Sequence, residues 1–388
     1  MTLRLKPVSE QVIVLTGASS GIGLATARMA AERGARLVLA ARNAEALRAI
    51  AAECTRRGGR AIAAPADVAR REEVERVARI ATEAFGGFDT WVNGAAVALY
   101  GEVRKIPIRD QRRLFEVDYW GVVYGSLAAA DHLRRQSRGG AVINIGSILS
   151  DRAMIFQTQY SAAKHAVKAF TEGLRMELER EGAPISVTLI KPSAIDTPYP
   201  EHARNLLDAE ALTLPPPTYD PHLVAKAILF AAENPKRTLA VGLGGYAISL
   251  LGTHFPRLTD YVMELTGYAS QAASEPGPRE RARRDNLYRP REDGDEHASL
   301  PGTAPRQTSL FLEAQMRPAT TFMLLAGLGA ALAYAASGSR SRGRGSAGRG
   351  PSRPTARRRG DGEDRTMPPG HFAHRDQTVR RPMAPARY

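Results

Sequence analysis

The sequence predicts an α/β fold in which helices cover both faces of a doubly wound parallel sheet. Short apolar segments rich in β-branched residues alternate with helix-like segments from Val12 to about Gly242, as in chains built from β-α-β units. A glycine-rich loop directly follows the first apolar segment. Because the chain has 388 residues, this alternation leaves a long C-terminal extension outside the domain.

Seven strands are predicted, with helices between them, the longest at 107–135 and 157–180. The predicted strands are 11–16, 36–41, 60–66, 89–93, 140–147, 185–191 and 238–242. Right-handed crossovers between parallel strands bring the loops that follow them to one edge of the sheet. Functional side chains are therefore expected at the carboxyl ends of the strands.

The loop after the first strand favours a nucleotide. Its residues are Thr16, Gly17, Ala18, Ser19, Ser20, Gly21, Ile22 and Gly23, and a helix-like segment follows. Gly17 permits the tight turn, whereas Gly21 and Gly23 let a ligand and the strand approach the helix N-terminus closely. The free N–H groups and the dipole at that N-terminus favour a pyrophosphate.

The second and third strands indicate which dinucleotide is bound. The second strand ends in Ala41-Arg42-Asn43 and lacks the acidic residue that usually accepts the ribose hydroxyls of NAD. Arg42 offers a cation for a 2′-phosphate, so the predicted cofactor is NADP(H). The alternative is that Arg42 is only a solvated charge in a loop. Asp67 and Val68 follow the third strand, where they can border an adenine, although Asp67 can also cap the next helix.

Tyr160 and Lys164 are four residues apart in a predicted helix, so their side chains lie on one face. A tyrosine has an ordinary pKa of about 10, and a nearby cation favours the phenolate and lowers that pKa. Ser147 can hold a carbonyl or alcohol oxygen where the phenol can exchange a proton with it. Taken alone, Tyr160 and Lys164 could also be an ordinary helix pair.

The order and spacing of the motifs resemble the short-chain dehydrogenase/reductase family, in its shorter, single-domain branch. The motifs are TGASSGIG, Asp67-Val68, Asn93, Ser147, Tyr160-x3-Lys164 and Pro192-Ser193-x3-Thr197. The resemblance covers about residues 8–250. It implies a Rossmann fold, hydride transfer to or from a nicotinamide, a small-molecule carbonyl or alcohol substrate, and the homo-oligomeric assembly common in the family.

The resemblance also implies roles for single residues. Tyr160 would be the general acid/base, Ser147 would stabilise the substrate oxygen, and Lys164 would bind the nicotinamide ribose and tune Tyr160. Thr197 would lie near the carboxamide, and the cofactor-binding set would include Asn93 and Pro192.

Three positions depart from the family pattern. Gly94 replaces a usual asparagine, Ser193 replaces a usual glycine, and Asp118 stands where the family has a catalytic asparagine that helps to hold a water beside the lysine. We expect Asp118 to act in the catalytic relay with an altered pH dependence; the alternative is a tolerated substitution without catalytic consequence.

The segments that follow the sixth and seventh strands are expected to contact the substrate. Segment 194–219 is rich in proline and loop residues and is the candidate lid. Residues 243–268 are apolar and aromatic, so they could pack over a pocket or form a dimer surface. Both segments favour a hydrophobic substrate.

Beyond residue 268 the composition changes. Residues 269–318 have the composition of a flexible linker. Residues 319–336 are an uncharged stretch of 18 residues, about 27 Å long as a helix, which could span a membrane, lie in its interface or dock on protein. Residues 337–388 hold 13 Arg against 4 Asp and Glu and are predicted to be disordered. Their charge favours anionic lipid over nucleic acid, because aromatic residues for base stacking are nearly absent.

The remaining sequence features are less informative. The single cysteine, Cys54, fits a reducing compartment, so a cytoplasmic catalytic domain with membrane association through the extension is expected. No metal site is predicted from the histidine spacing. The rival function is a catalytically silent nucleotide-binding scaffold or redox sensor tethered by the extension.

Overall fold

The computed structural model describes residues 3–273, 285–291, 294–299 and 304–324, with 326, 327 and 329. Its central sheet comprises β1 Val12–Thr16, β2 Arg36–Ala40, β3 Arg60–Ala63, β4 Thr90–Asn93, β5 Gly140–Ile145, β6 Ile185–Pro192 and β7 Thr238–Val241. The strand order is β7-β6-β5-β4-β1-β2-β3, and every pair is parallel. The predicted doubly wound sheet is confirmed.

Helices cover both faces of this sheet. They are α1 Gly21–Glu32, α2 Ala44–Arg56, α3 Arg71–Phe85, α4 Ile108–Phe115, α5 Gly121–Leu133, α6 Thr158–Arg180, α7 Tyr199–His202, α8 Pro221–Glu233, α9 Leu243–His254, α10 Pro256–Thr266 and α11 Leu310–Met316. Successive side chains of a strand point to opposite faces. Ile13 and Leu15 of β1 therefore pack in the core on one face, whereas Val12 and Val14 pack in the core on the other.

The single helix predicted at 107–135 is interrupted. A π-helical turn, Glu116–Trp120, joins α4 to α5. Such turns widen the helix and often occur at functional sites. This one carries Asp118, which is fully buried. The hydrophobic pattern predicted one continuous helix, because the spacing of apolar residues does not distinguish a π-helical turn from an α-helical turn.

The strand order reverses at β1, and this opens a crevice at the carboxyl edge of the sheet. Thr16, the last residue of β1, pairs with Ala40 on one side and Asn93 on the other. Gly17 follows with φ +72°, and a Cβ there would lie 2.7 Å from the backbone of Ala95. The glycine loop and the loop after β4 are therefore in close contact, which only glycine permits at this position.

The candidate lid is partly ordered by short strands. Leu99–Tyr100 pairs with Arg204–Asn205, and Ala211–Leu212 pairs with Ala272–Ala273. Helix α7 ends just before Arg204–Asn205. After β7, α9 and α10 follow one another and lie beside the lid at the same edge of the sheet, where both contribute to one cavity.

The described parts of 269–318, predicted as a flexible linker, lie against the domain. Leu287, Leu312 and Met316 are buried there, and this apolar burial holds the segment in place. In α11, the Gln315 side chain accepts a hydrogen bond of 2.9 Å from the Ala240 N–H and donates one of 2.9 Å to the Ala240 carbonyl. Gln315 thereby satisfies backbone groups at the free edge of β7.

The apolar stretch 319–336 is described only in part, and its exposed side chains include Phe322 and Leu324. No helix among the described residues is long and apolar enough to cross a membrane. The disordered tail predicted at 337–388 lies outside the described residues.

Candidate active site

One cavity at the carboxyl edge of the sheet contains most of the predicted site residues. Its volume is about 350 Å3. The predicted residues that line it are Gly17, Ser19, Ser20, Gly21, Ile22, Gly23, Arg42, Asp67, Val68, Ser147, Tyr160, Lys164, Pro192 and Thr197. Residues that are far apart in sequence meet here because all follow the carboxyl ends of parallel strands.

The N-terminus of α1 is suited to a phosphate. The N–H groups of Ile22 and Gly23 have no partner among the described residues, whereas the Gly21 N–H donates to the Asp295 carbonyl at 2.8 Å. A Cβ at Gly23 would lie 2.0 Å from the Gly17 carbonyl oxygen, so glycine is required for the close approach of helix and loop. The residues present therefore fit the pyrophosphate of a dinucleotide.

Arg42 and Asp67 lie at the same end of the cavity. Arg42 donates hydrogen bonds to the carbonyls of Asn286 and Leu287. Asp67 accepts one from Arg113 at 2.6 Å and one from the Ala69 N–H at 3.1 Å. The sequence did not predict Arg113 or the C-terminal residues here, because neither belongs to a recognisable motif.

Two predicted cofactor-binding residues do not line the cavity. The Thr16 hydroxyl accepts from the N–H groups of Gly94 and Ala95 at 3.0 and 3.3 Å and joins the two loops. The Asn93 amide is buried, where its nitrogen donates to Asn144 at 2.8 Å and its oxygen accepts from the Trp91 indole at 2.8 Å. Protein groups thus satisfy the Asn93 amide, and a role of Asn93 in cofactor binding stays a prediction.

Ser147 and Tyr160 meet at the centre of the cavity. Ser147 caps the short 3-10 helix Ile148–Ser150, and its oxygen accepts from the Leu149 N–H at 3.0 Å. Tyr160 lies in the first turn of α6. The Ser147 and Tyr199 side chains lie near its hydroxyl, and both lower the pKa of Tyr160. The predicted juxtaposition of Ser147 and Tyr160 is present.

Lys164 lies one turn after the half-buried Tyr160 and is itself buried. Its Nζ is 5.4 Å from the centroid of the Tyr160 ring and donates to the Ile145 carbonyl at 3.2 Å. The same nitrogen lies 3.6 Å from Oδ2 of Asp118. The other oxygen of Asp118, Oδ1, accepts from the Val97 N–H at 2.8 Å, while Oδ2 is buried and has no hydrogen-bond partner within the part of the chain that the structure describes.

Burial dominates the ionisation of these groups. It raises the pKa of Tyr160, against the lowering effect of Lys164, while the Asp118 carboxylate raises that pKa further. The sequence predicted a net lowering, which is wrong for the protein without ligand because desolvation outweighs the cation. Burial likewise raises the pKa of Asp118 to about 6, although Lys164 and the Val97 N–H oppose it.

The opposite end of the cavity is apolar. Its lining residues include Ile148, Leu149, Met154, Leu214, Pro215, Ile248 and Met263. The prediction that 194–219 and 243–268 cover a pocket is therefore confirmed for these residues. Other side chains of α9 and α10, such as Leu251, Phe255 and Leu265, are exposed.

Tyr199 is a site residue that the sequence did not reveal. Its ring packs edge-on against Tyr160 at 5.4 Å between centroids, and its hydroxyl donates to Gln157 at 3.3 Å. The Tyr100 ring lies 6.3 Å from it, and the buried Tyr100 hydroxyl has no hydrogen-bond partner among the described residues. A lone tyrosine in a loop-rich segment carries no sequence signal, so only the fold identifies it.

Asp220, His222 and His297 form a group in the described part of the chain whose ligand atoms are close enough to hold a metal ion. Both imidazoles already contact carboxylates: Nδ1 of His222 lies 2.8 Å from Asp220, and Nδ1 of His297 lies 2.9 Å from Asp196. The sequence predicted no metal site, because these histidines are distant along the chain.

The sequence of this chain is similar to those of known proteins. A family model described as short chain dehydrogenase matches residues 11–206. The uncharacterized oxidoreductase YxnA of Bacillus subtilis (strain 168) is 47% identical over 327 residues, which cover 84% of this chain and 91% of that protein. An uncharacterized oxidoreductase of Staphylococcus aureus (strain USA300) is 35% identical over 229 residues, 59% of this chain and 94% of that protein.

Two solved structures have similar folds. An alcohol dehydrogenase from the archaeon Thermococcus sibiricus, complexed with 5-hydroxy-NADP, is 26% identical with a TM-score of 0.52 and covers 60% of this chain and 95% of its own. A short-chain dehydrogenase/reductase from Burkholderia phymatum, in complex with NAD, is 25% identical with a TM-score of 0.57. The similarity covers 64% of this chain and 94% of that chain. The chain belongs to the short-chain dehydrogenase/reductase family of oxidoreductases.

Proposed function

We propose that the protein is an NADP(H)-dependent enzyme that interconverts a carbonyl and an alcohol on a hydrophobic small molecule. The observation that carries this proposal is the convergence of Ser147, Tyr160 and Lys164 on one cavity. One end of that cavity has helix N–H groups without a partner in the described part of the chain, which could bind phosphates, and the other has an apolar lining for a substrate.

The chemistry divides between the cofactor and the protein. The nicotinamide, when bound, supplies a hydride to a carbonyl carbon or accepts one from an alcohol carbon. Tyr160 gives a proton to the substrate oxygen in reduction and takes one from it in oxidation. Ser147 donates a hydrogen bond that holds the oxygen against the phenol, and Lys164 stabilises the phenolate by its positive charge.

The preference for NADP(H) is supported by Arg42. Its guanidinium lies at the phosphate end of the cavity and can pair with a 2′-phosphate. Solved relatives include complexes with both 5-hydroxy-NADP and NAD, so the family does not decide the cofactor. The guanidinium of this chain is the argument for the phosphorylated form.

The test is a panel of ketones, aldehydes and alcohols of increasing apolar size, assayed with NADP(H) and with NAD(H). We expect turnover with NADP(H) and greater kcat/KM for larger apolar substrates. Tyr160→Phe should lower kcat by roughly 10²- to 10⁴-fold, while the Kd for NADPH changes little. Full turnover by Tyr160→Phe would contradict the catalytic assignment, and NADPH binding without turnover of any substrate would favour the silent scaffold.

A further inference from the structure

The C-terminal strap, defined as residues 285–291 and 294–299, lies across the outer side of the phosphate end of the cavity. Its Gly294 N–H donates to the Ser19 carbonyl at 2.9 Å, and its Asp295 carbonyl accepts from the Gly21 N–H at 2.8 Å. Further along the crevice, the Asn43 side chain donates to a strap carbonyl at 3.1 Å. The strap thus contacts both the glycine loop and the end of β2.

The strap is anchored outside the cavity. Leu287 is fully buried in the core cluster that contains Leu114, and the Leu287 carbonyl accepts from Arg113 at 3.1 Å. Ion pairs hold the two ends: Asp285 lies 3.0 Å from Arg204, and Glu296 lies 2.9 Å from Arg28. Apolar burial and paired charges therefore fix the strap on the domain without support from a ligand.

The strap borders the cavity without filling it. Asn286, Pro290 and Arg291 join the glycine loop in lining the cavity. The Asn286 side chain is half-buried at this wall, and its backbone carbonyl accepts from the Arg42 guanidinium. A primary amide can both donate and accept hydrogen bonds, so at a cavity wall it can pair with polar groups of a bound ligand. No described residue accepts from the N–H groups of Ile22 and Gly23, so both are available for phosphates beneath the strap.

We propose that the strap is part of the dinucleotide site and that Asn286 binds the adenosine half of the cofactor. The Asn286 amide exchanges hydrogen bonds with the adenine or with the ribose hydroxyls, which offer both donors and acceptors. The carbonyls of Asn286 and Leu287 also orient the Arg42 guanidinium. This inference rests on the proposed function only in requiring that the cavity bind a nicotinamide dinucleotide.

The match to the Bacillus subtilis relative extends over the strap. A match that covers 84% of a chain of 388 residues cannot omit residues 285–299, wherever it begins. The short chain dehydrogenase family model, by contrast, ends at residue 206. The strap therefore lies outside the part of the chain that the family model matches.

The first experiment measures Kd with the full chain for NADPH, for 2′,5′-ADP as the adenosine half and for nicotinamide mononucleotide as the other half. We expect Asn286→Ala to raise the Kd for NADPH and for 2′,5′-ADP by the same factor, about 3- to 10-fold, and to leave the Kd for nicotinamide mononucleotide unchanged. The matched control is Tyr288→Phe, whose exposed hydroxyl donates to Asp110 away from the cavity; it should change none of the three. Unchanged NADPH affinity in Asn286→Ala would overturn the inference.

A second variant tests whether the strap forms a wall of the cofactor site or competes with the cofactor for that site. Leu287→Ala removes the anchor of the strap without altering a residue that lines the cavity. If the strap is a wall, NADPH binds to Leu287→Ala more weakly and dissociates faster than from the wild type, which stopped-flow fluorescence measures. If the strap competes with the cofactor, NADPH binds to the variant more tightly, and the inference fails. Wild-type protein that binds NADPH but turns over no carbonyl or alcohol would defeat the proposed function and leave the strap assignment standing.

Discussion

The Nζ of Lys164 and Oδ2 of Asp118 lie 3.6 Å apart, and both side chains are almost completely buried. Asp118 replaces the asparagine expected from the family pattern, so a carboxylate faces the lysine beside Tyr160. Because the environment is desolvated, the charges act strongly on one another. The electrostatics of Tyr160 therefore depend on a residue that does not line the cavity.

Asp118→Asn should lower the pKa of Tyr160. The Asp118 carboxylate raises that pKa in the wild type, and carbonyl reduction needs Tyr160 protonated. The alkaline fall of kcat/KM for reduction should therefore move to lower pH in the variant. The wild type and variant should converge below about pH 6, where Asp118 becomes neutral. Superimposable pH profiles would mean that Asp118 has no part in tuning Tyr160.

Tyr199→Phe should shift the same profile in the opposite direction. The Tyr199 side chain lowers the pKa of Tyr160, so loss of its hydroxyl moves the alkaline fall of reduction to higher pH. The two variants together test the sign of each contribution. A shift of both variants in one direction would contradict the electrostatic account and indicate a general disturbance of the site.

Arg42→Ala should remove the preference for the phosphorylated cofactor. Loss of a charge-assisted contact with the 2′-phosphate should lower kcat/KM for NADPH by roughly 10- to 100-fold, while kcat/KM for NADH changes little. Steady-state kinetics with both cofactors on one substrate provide the measurement. An equal loss with NADPH and NADH would assign Arg42 to the architecture of the site rather than to cofactor choice.

Gly23→Ala should disrupt the glycine loop. The new methyl group would lie 2.0 Å from the Gly17 carbonyl oxygen, so the loop must move, with a cost of about 1–3 kcal/mol in the free energy of unfolding. NADPH affinity should fall as well. Gly173→Ala is the control, because its methyl group would meet nothing within 4 Å in the interior of α6 and alanine favours a helix. Urea unfolding of both variants tests the difference, and equal effects would argue against the close approach.

Leu312→Ala should show whether α11 belongs to the fold. Leu312 is 0% exposed, whereas Leu310 in the same helix is 86% exposed. Truncation of the buried residue should lower the free energy of unfolding by about 2–5 kcal/mol, and Leu310→Ala should change it by less than about 0.5 kcal/mol. Equal, small effects would indicate that α11 does not stabilise the domain.

The main features of the fold and of the catalytic centre could be predicted because their signals are local. β-Branched apolar segments locate the seven strands, and each is found within a few residues of its predicted position. Tyr160 and Lys164 are related by helix geometry alone, and the glycine loop by its position after β1. The π-turn at Asp118 could not be predicted, since the same residues fit an uninterrupted helix.

The amino-acid sequence by itself determined the sheet, the glycine loop and the pairing of Tyr160 with Lys164, because each depends on residues close together in the chain. Only the tertiary structure decided that burial outweighs the lysine at Tyr160, that Asn93 is held by protein groups, and that the strap reaches the glycine-loop end of the cavity. Desolvation and contacts between distant segments depend on which surfaces meet after folding. No local pattern in the chain encodes them.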